Sequence, residues 1–467
     1  MKKVSLIAAA VASALVAGSA FAENDVALDV TSGDSSMEVE VKNPTDVITD
    51  GWEVHGYMSS NVRVVDGKTV DTEFGKQDYK TAGTHGKSTN QVEFSLKKHS
   101  EYENGVWADY VVRTEYGNGN SYAYSSEGSR KQNSDAQFEV KEAYVELGGI
   151  LGEDTSIWGG QRYLNRASGL LSGEFWKQSS GIGAGIQTKL AGHTAGIAYV
   201  MADPDAGSAD SYAIDCKQKD GTTSTDPNKC KVNKNGAKER ETLSSIDLYY
   251  YGVDAGIGSL DFDLKLGKQV KEGENDDGFG ASVTLNTSYY GLDGWTQNAI
   301  GYGSGVMAKT GVNFGGWSGG GDKEESLFLT SYGVLNISER MQLGTEVTYL
   351  TALDQLFGAD GLTRYIVAAR PSYKLNDNVR LEATASYGHE EGDEGYFGGR
   401  TGDAVESDIL NLEIATAFTA NSDYFGRPQV KPYISYIKAD DEASAKQIGI
   451  DNGKDEFVFG VHTEIWF

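Results

Sequence analysis

Proline is scarce in this chain, six in 467 residues, and that scarcity removes the commonest interruption of long hydrogen-bonded strand ladders. Beyond the amino terminus no segment approaches the roughly 18 consecutive apolar residues that a membrane-spanning helix requires. Basic residues are in deficit, 41 against 68 acids for a formal charge of −27. A nucleic-acid partner needs a basic surface and is not expected; solvated acidic loops are the ordinary source of such a balance. Histidine is rare as well. His55, His85, His99, His193, His389 and His462 show neither H-E-x-x-H nor another ligand spacing, so no metal and no cofactor is expected. The two cysteines, Cys216 and Cys230, have no histidine near them in sequence. They flank the polar, turn-rich "KQKDGTTSTDPNK", which reads as an external loop, and in an oxidising compartment a disulfide between them is the expectation.

What is present begins with "MKKVSLIAAAVASALVAGSAFA". Two lysines, an apolar run and Ala20-Phe21-Ala22 make residues 1–22 a secretory signal peptide, set aside from the fold. Without Lys2 and Lys3 the charge becomes −27 − 2 = −29. Residues 23–50 are acidic, lack a heptad pattern and read as a short amino-terminal extension. From Gly51 to Phe467, alternating segments recur between Gly-, Asp- and Asn-rich connections. "SLDFDLKLG" sets Leu260, Phe262, Leu264 and Leu266 against Asp261, Asp263 and Lys265; "NVRLEATASYG" sets Val379, Leu381, Ala383, Ala385 and Tyr387 against Arg380 and Glu382. "VWADYVVRTEYG" repeats the pattern. Period two over about ten residues suits a tilted membrane strand.

Charges on the inner face of such a strand need water, so a wet lumen is expected. A soluble sandwich would show the same alternation, but the signal peptide, the number of strands and the mature length of 467 − 22 = 445 residues favour a transmembrane barrel. Glycine (59) suits tight turns, and tyrosine exceeding phenylalanine (26 to 16) suits interfacial belts. The expectation is an all-β, antiparallel transmembrane β-barrel over residues 51–467, in contact with outer-membrane lipid.

Catalytic motifs fail on context. "GWSGG" (Gly316 to Gly320) matches G-x-S-x-G, but a nucleophile elbow needs a strand before it and a helix after it, and no helical period follows. "GIGAG" (Gly181 to Gly185) is followed by neither a helix nor a Lys-Ser pair. An enzyme is not expected. The closing "EFVFGVHTEIWF" poses a different question. Phe457, Phe459, Val461, Thr463, Ile465 and Phe467 share one side, yet Trp466 falls with His462 and Glu464 on the polar one.

"EVHGYMSS", "SIWGGQRYLNR", "FGRPQVKPYISYIKADD" and "DEFVFGVHTEIWF", in that order, resemble the maltoporin family of carbohydrate-specific outer-membrane channels, and weaker correspondences such as "FEVKEAYVEL" and "GLDGWTQNAIGYG" lie between them. The resemblance implies an 18-stranded barrel, a homotrimer and a third loop folded inward as a constriction. It also implies an oligosaccharide substrate led along a line of aromatic rings. A flat ring covers the C–H face of a pyranose while charged tips exchange hydrogen bonds with its hydroxyls, and conduction needs weak, repeated binding.

Residue by residue, the resemblance implies ring positions at Tyr57, Phe425 and Trp466, which answers why the last indole sits among polar neighbours. A ring contributed by a neighbouring subunit's loop falls near Tyr122 or Tyr124, and a further one lies between Trp295 and Asn298. Phe467 resembles the terminal aromatic recognised in outer-membrane assembly. Arg166 falls on a polar-track arginine at the constriction and Lys141 on another, where the family usually has arginine; Phe175 replaces a constriction tyrosine. Ser59 stands where a lumen arginine is expected and Gln91 where a ring is; Ser168, Gly173 and Gln178 replace acids. These departures imply a wider, less charged throat. Maltose and maltodextrins lead as substrates, with a sucrose or β-glucoside channel, or an unselective porin, as alternatives.

Overall fold

The structure, a computed structural model, describes residues 47–70, 81–87, 90–116, 138–173, 175–202, 212–215, 231–234, 242–271, 274–308, 312–313, 323–356, 359–392, 405–450 and 452–467. The period-two segments form long strands: β1 (Val47–Val65), β2 (Asn90–Tyr102), β3 (Trp107–Tyr116), β4 (Phe138–Gly148), β5 (Ser156–Ser168), β6 (Phe175–Leu190), β7 (His193–Ala202), β8 (Thr242–Asp254) and β9 (Gly258–Lys271). The second half continues with β10 (Glu274–Tyr289), β11 (Leu292–Ser304), β12 (Glu325–Ser338), β13 (Met341–Ala352), β14 (Thr363–Asn376), β15 (Val379–Gly392), β16 (Val405–Thr419), β17 (Gln429–Ala439) and β18 (Asp455–Trp466). Each pairs antiparallel with its neighbour in sequence. The sheet also holds two short additions, Lys68–Val70 and Val312–Asn313, so 20 − 2 = 18 strands form the wall.

β1 closes the barrel against β18, with Tyr57 opposite Trp466 and Val65 opposite Val458. Closure removes the free edges, so the wall strands find their backbone partners within the protein, the condition for residence in lipid. Past β18, the main chain of Phe467 exchanges hydrogen bonds with Gly56 at 2.9 and 3.1 Å. Its ring meets Phe94 edge-on at 6.1 Å. It also covers Gly56 so closely that a side chain there would collide with it.

The two faces of the wall reverse the arrangement of a soluble protein. Leu264 and Leu266 are exposed, while Asp263 and Lys265 beside them are 5% and 1% exposed. Ile414 is 65% exposed and Glu413 only 3%. In water the charged face would be the outer one. An apolar exterior around a polar interior rejects the sandwich and requires lipid outside.

One end of the barrel has short connections. At Ala191-Gly192 (φ 52° and 86°) and Tyr290-Gly291 (φ 47° and 88°) both turn residues are left-handed, matching the two-residue hairpins that follow strand twist. The long connections gather at the other end; in outer-membrane barrels these are the extracellular loops. "GIGAG" lies within β6 and is strand, not a phosphate loop.

The third long connection is built from strand. β5 pairs with β4 only from Ser156 to Gln161, and β7 pairs with β6 only from Ile182 onward. Pairing between β5 and β6 nevertheless continues to Ser168 opposite Phe175. A two-stranded arm therefore leaves the wall and enters the bore. Val312–Asn313 adds a parallel strand to Lys177–Gln178. Trp176 anchors the arm by stacking on Phe328 of β12 at 5.6 Å, within an apolar cluster that includes Leu350, Leu356 and Leu362.

Candidate functional site

Alternation along β1 turns Tyr57, Ser59, Asn61 and Arg63 into the bore, and β18 turns His462, Glu464 and Trp466 toward them. Glu464 gathers this corner: it accepts from the Tyr57 hydroxyl at 3.2 Å, from Arg427 Nε at 2.6 Å and from Gln429 Nε2 at 3.1 Å. The Arg427 guanidinium lies 4.3 Å from the centre of the Trp466 ring. Arg427 belongs to the connection between β16 and β17, and two residues earlier Phe425 meets Trp295 of β11 at 6.3 Å, the rings tilted by 30°. Tyr332 lies edge-on to Trp295 at 6.3 Å. Rings from β11, the β16–β17 connection, β18 and β1 thus follow one another around the wall, with charged tips interleaved.

The arm bears the second group of side chains. The Arg166 guanidinium lies 4.4 Å from the Phe175 ring and 4.3 Å from Tyr163. Arg113 of β3 lies 5.5 Å from the same tyrosine; it pairs with Glu93 and, at 3.4 Å, with Glu142. A register shift after Arg113 frees Lys141 to reach Glu139 and, at 3.6 Å, Glu115. Gln91 Nε2 donates to Glu93 at 2.6 Å. These groups present donors and acceptors at several heights of one passage, so the arrangement suits hydrogen-bond exchange with a moving polar ligand.

A second segment fills the bore from the opposite side. Thr81–His85, from the connection between β1 and β2, is buried against the wall. Asn61 Nδ2 donates to the Thr84 carbonyl at 2.7 Å, Asn411 Nδ2 to the Ala82 carbonyl at 2.7 Å, and the Ala82 amide to Ser386 Oγ at 3.0 Å. Below it, Arg380 and Lys431 share Glu382, at 2.6 and 3.2 Å.

The structure thus brings Tyr57 and Trp466 together, and Phe425 next to Trp295. It groups Arg166 with Phe175, and sets Lys141 on the neighbouring wall. Of Trp295 and Asn298, Trp295 is the one that meets Phe425; Asn298 is on the other face, accepting from Ser331 Oγ at 2.7 Å. Tyr122, Tyr124, Cys216, Cys230 and the "GWSGG" segment lie outside the described residues. Sequence reasoning missed Arg427, Tyr163 and the Thr81–Lys87 segment. Arg427 stands two residues from Phe425 and was within reach; nothing in the composition of residues 81–87 marks an inward fold.

A family model described as LamB porin matches residues 52–467. A maltoporin of Vibrio cholerae serotype O1 (strain ATCC 39315 / El Tor Inaba N16961) is 24% identical over 495 aligned positions, covering 100% of both chains. A maltoporin of Hahella chejuensis is 26% identical over 89% of this chain and 92% of its own. "Maltoporin 1" of Klebsiella pneumoniae is 22% identical over 89% and 93% respectively.

Proposed function

Because this chain belongs to the LamB porin family, we propose that it is a sugar-selective channel of the bacterial outer membrane, passing oligosaccharides down their gradient without covalent chemistry. The observation that carries this reading is the run of rings from Trp295 through Phe425 and Trp466 to Tyr57, interleaved with Arg427 and Glu464. Flat apolar faces beside charged donors and acceptors match a pyranose, and would be wasted on an unselective ion pore. The relatives' name, maltoporin, makes maltose and maltodextrins the leading substrates. Sucrose and β-glucosides are the second class, supported by the buried Ser168 and Gln178, neutral residues on the arm where the resemblance expects acids.

The assembly is read as a homotrimer, in which Tyr124 would extend the ring track of a neighbouring subunit. The Cys216–Cys230 pair would clip an external loop, and residues 1–22 would be removed on export. Titration of single-channel current with maltose, maltotriose, sucrose and a β-glucoside tests the function. Saturable block by sugars, stronger than by polyols of similar size, is expected. Equal liposome-swelling rates for sugars and size-matched non-carbohydrates would reject selective guidance and leave a general porin.

A further inference from the structure

We propose that Glu346 and Glu413 are the positioning residues of the throat: two carboxylates on the wall facing the arm that hold the two inward segments by their backbones and so set the aperture. Glu346 of β13 stands across the bore from β5 and β6. Its Oε2 accepts the amide protons of Leu171 at 2.5 Å and Ser172 at 3.1 Å, and its Oε1 accepts from the Ser172 hydroxyl at 2.5 Å. It is fully buried and, among the described residues, forms no ion pair. A carboxylate in such surroundings ordinarily has a cation, and here the tip of the arm replaces one. Gly169 completes the fit, since a side chain there would run into the Glu346 carboxylate and the Ser172 hydroxyl.

Glu413 of β16 repeats the device on the other segment. It accepts from the Thr84 amide at 2.7 Å, the Thr84 hydroxyl at 2.6 Å and Ser435 Oγ at 2.6 Å, with His85 Nδ1 at 3.8 Å. The segments also touch: Leu171 of the arm packs with Ala82, Ile366 and Ala368. Releasing either clamp therefore loosens both segments, and the narrowest dimension belongs to the far wall as much as to Phe175 and Arg166. The inference rests on the channel reading but not on the identity of the sugar.

Conductance of the full chain in planar bilayers tests it without any sugar. Glu346→Ala is expected to raise open-channel conductance about twofold, with added current noise and entry of larger polyethylene glycols. Glu346→Gln is expected to stay near the parent value, because its oxygen can take both amide protons and its NH2 can donate to Ser172. Gly169→Ala and Ser172→Ala should shift conductance in the same direction as Glu346→Ala, and they carry the test if that variant does not fold. Parent-like conductance and size limit in folded Glu346→Ala, or in both substitute variants, overturns the proposal. So does a Gln variant that behaves like Ala, which would assign the effect to charge instead of geometry. Loss of sugar block with these results intact would strike only the sugar reading.

Discussion

An indole facing charged neighbours is out of place in a soluble strand, but Trp466 has a guanidinium 4.3 Å from its ring centre and a phenol-bearing strand beside it. On the channel reading such rings would hold a sugar only briefly: millimolar binding corresponds to about −4 kcal/mol. Removing one ring contact worth about 1 kcal/mol should weaken sugar block about fivefold. Trp466→Ala and Phe425→Ala are thus expected to raise the half-blocking sugar concentration by that order while leaving open conductance similar or higher; unchanged block would remove them from the track. Phe175→Ala should enlarge conductance, because its ring stands 4.4 Å from Arg166 in the arm. Tyr57 and Trp466 were legible in sequence because period two fixes which side of a strand each takes. Arg427 sits in a turn, where no period applies, and Glu346 was one carboxylate among many. Its role comes from a partner about 175 residues away in sequence.

At the scale of elements, alternation revealed strands but not where they part company. Nothing in "SIWGGQRYLNRAS" announces that pairing with β4 stops at Gln161 while pairing with β6 runs on to Ser168. That outcome depends on what waits across the bore, above all the pad under Trp176 formed with Phe328, Leu350 and Leu362. Trp176→Ala should remove about 3–5 kcal/mol of packing. The wall itself has other support, so the loss should appear as faster amide exchange in Arg162–Ser168 and noisier current rather than as failure to form the barrel. Protection equal to the parent protein would show that the arm stands without that pad.

For the whole molecule, the alternation was read correctly but had two interpretations, membrane barrel and sandwich, and burial decided between them. Ile414, near the middle of β16 and 65% exposed, faces acyl chains on this reading. Ile414→Arg should cost about 2–4 kcal/mol, the penalty for a basic residue at mid-membrane on a barrel exterior. The measure is the denaturant midpoint of refolding into vesicles; a neutral effect would place that face in water. The strand number came from the resemblance, because uneven strand lengths leave period counting ambiguous.

The seam between Tyr57 and Trp466 joins the first and last strands of the wall. Such a junction is the most non-local pairing a chain can make, and its entropic penalty falls at the end of assembly. Until Phe467 reaches Gly56, β1 carries a naked row of amides and carbonyls that any passing strand could capture. Secretion and insertion must therefore shelter that margin for as long as the remaining seventeen strands take to arrive, and a ribosome that stops a dozen codons early leaves a ring unable to shut.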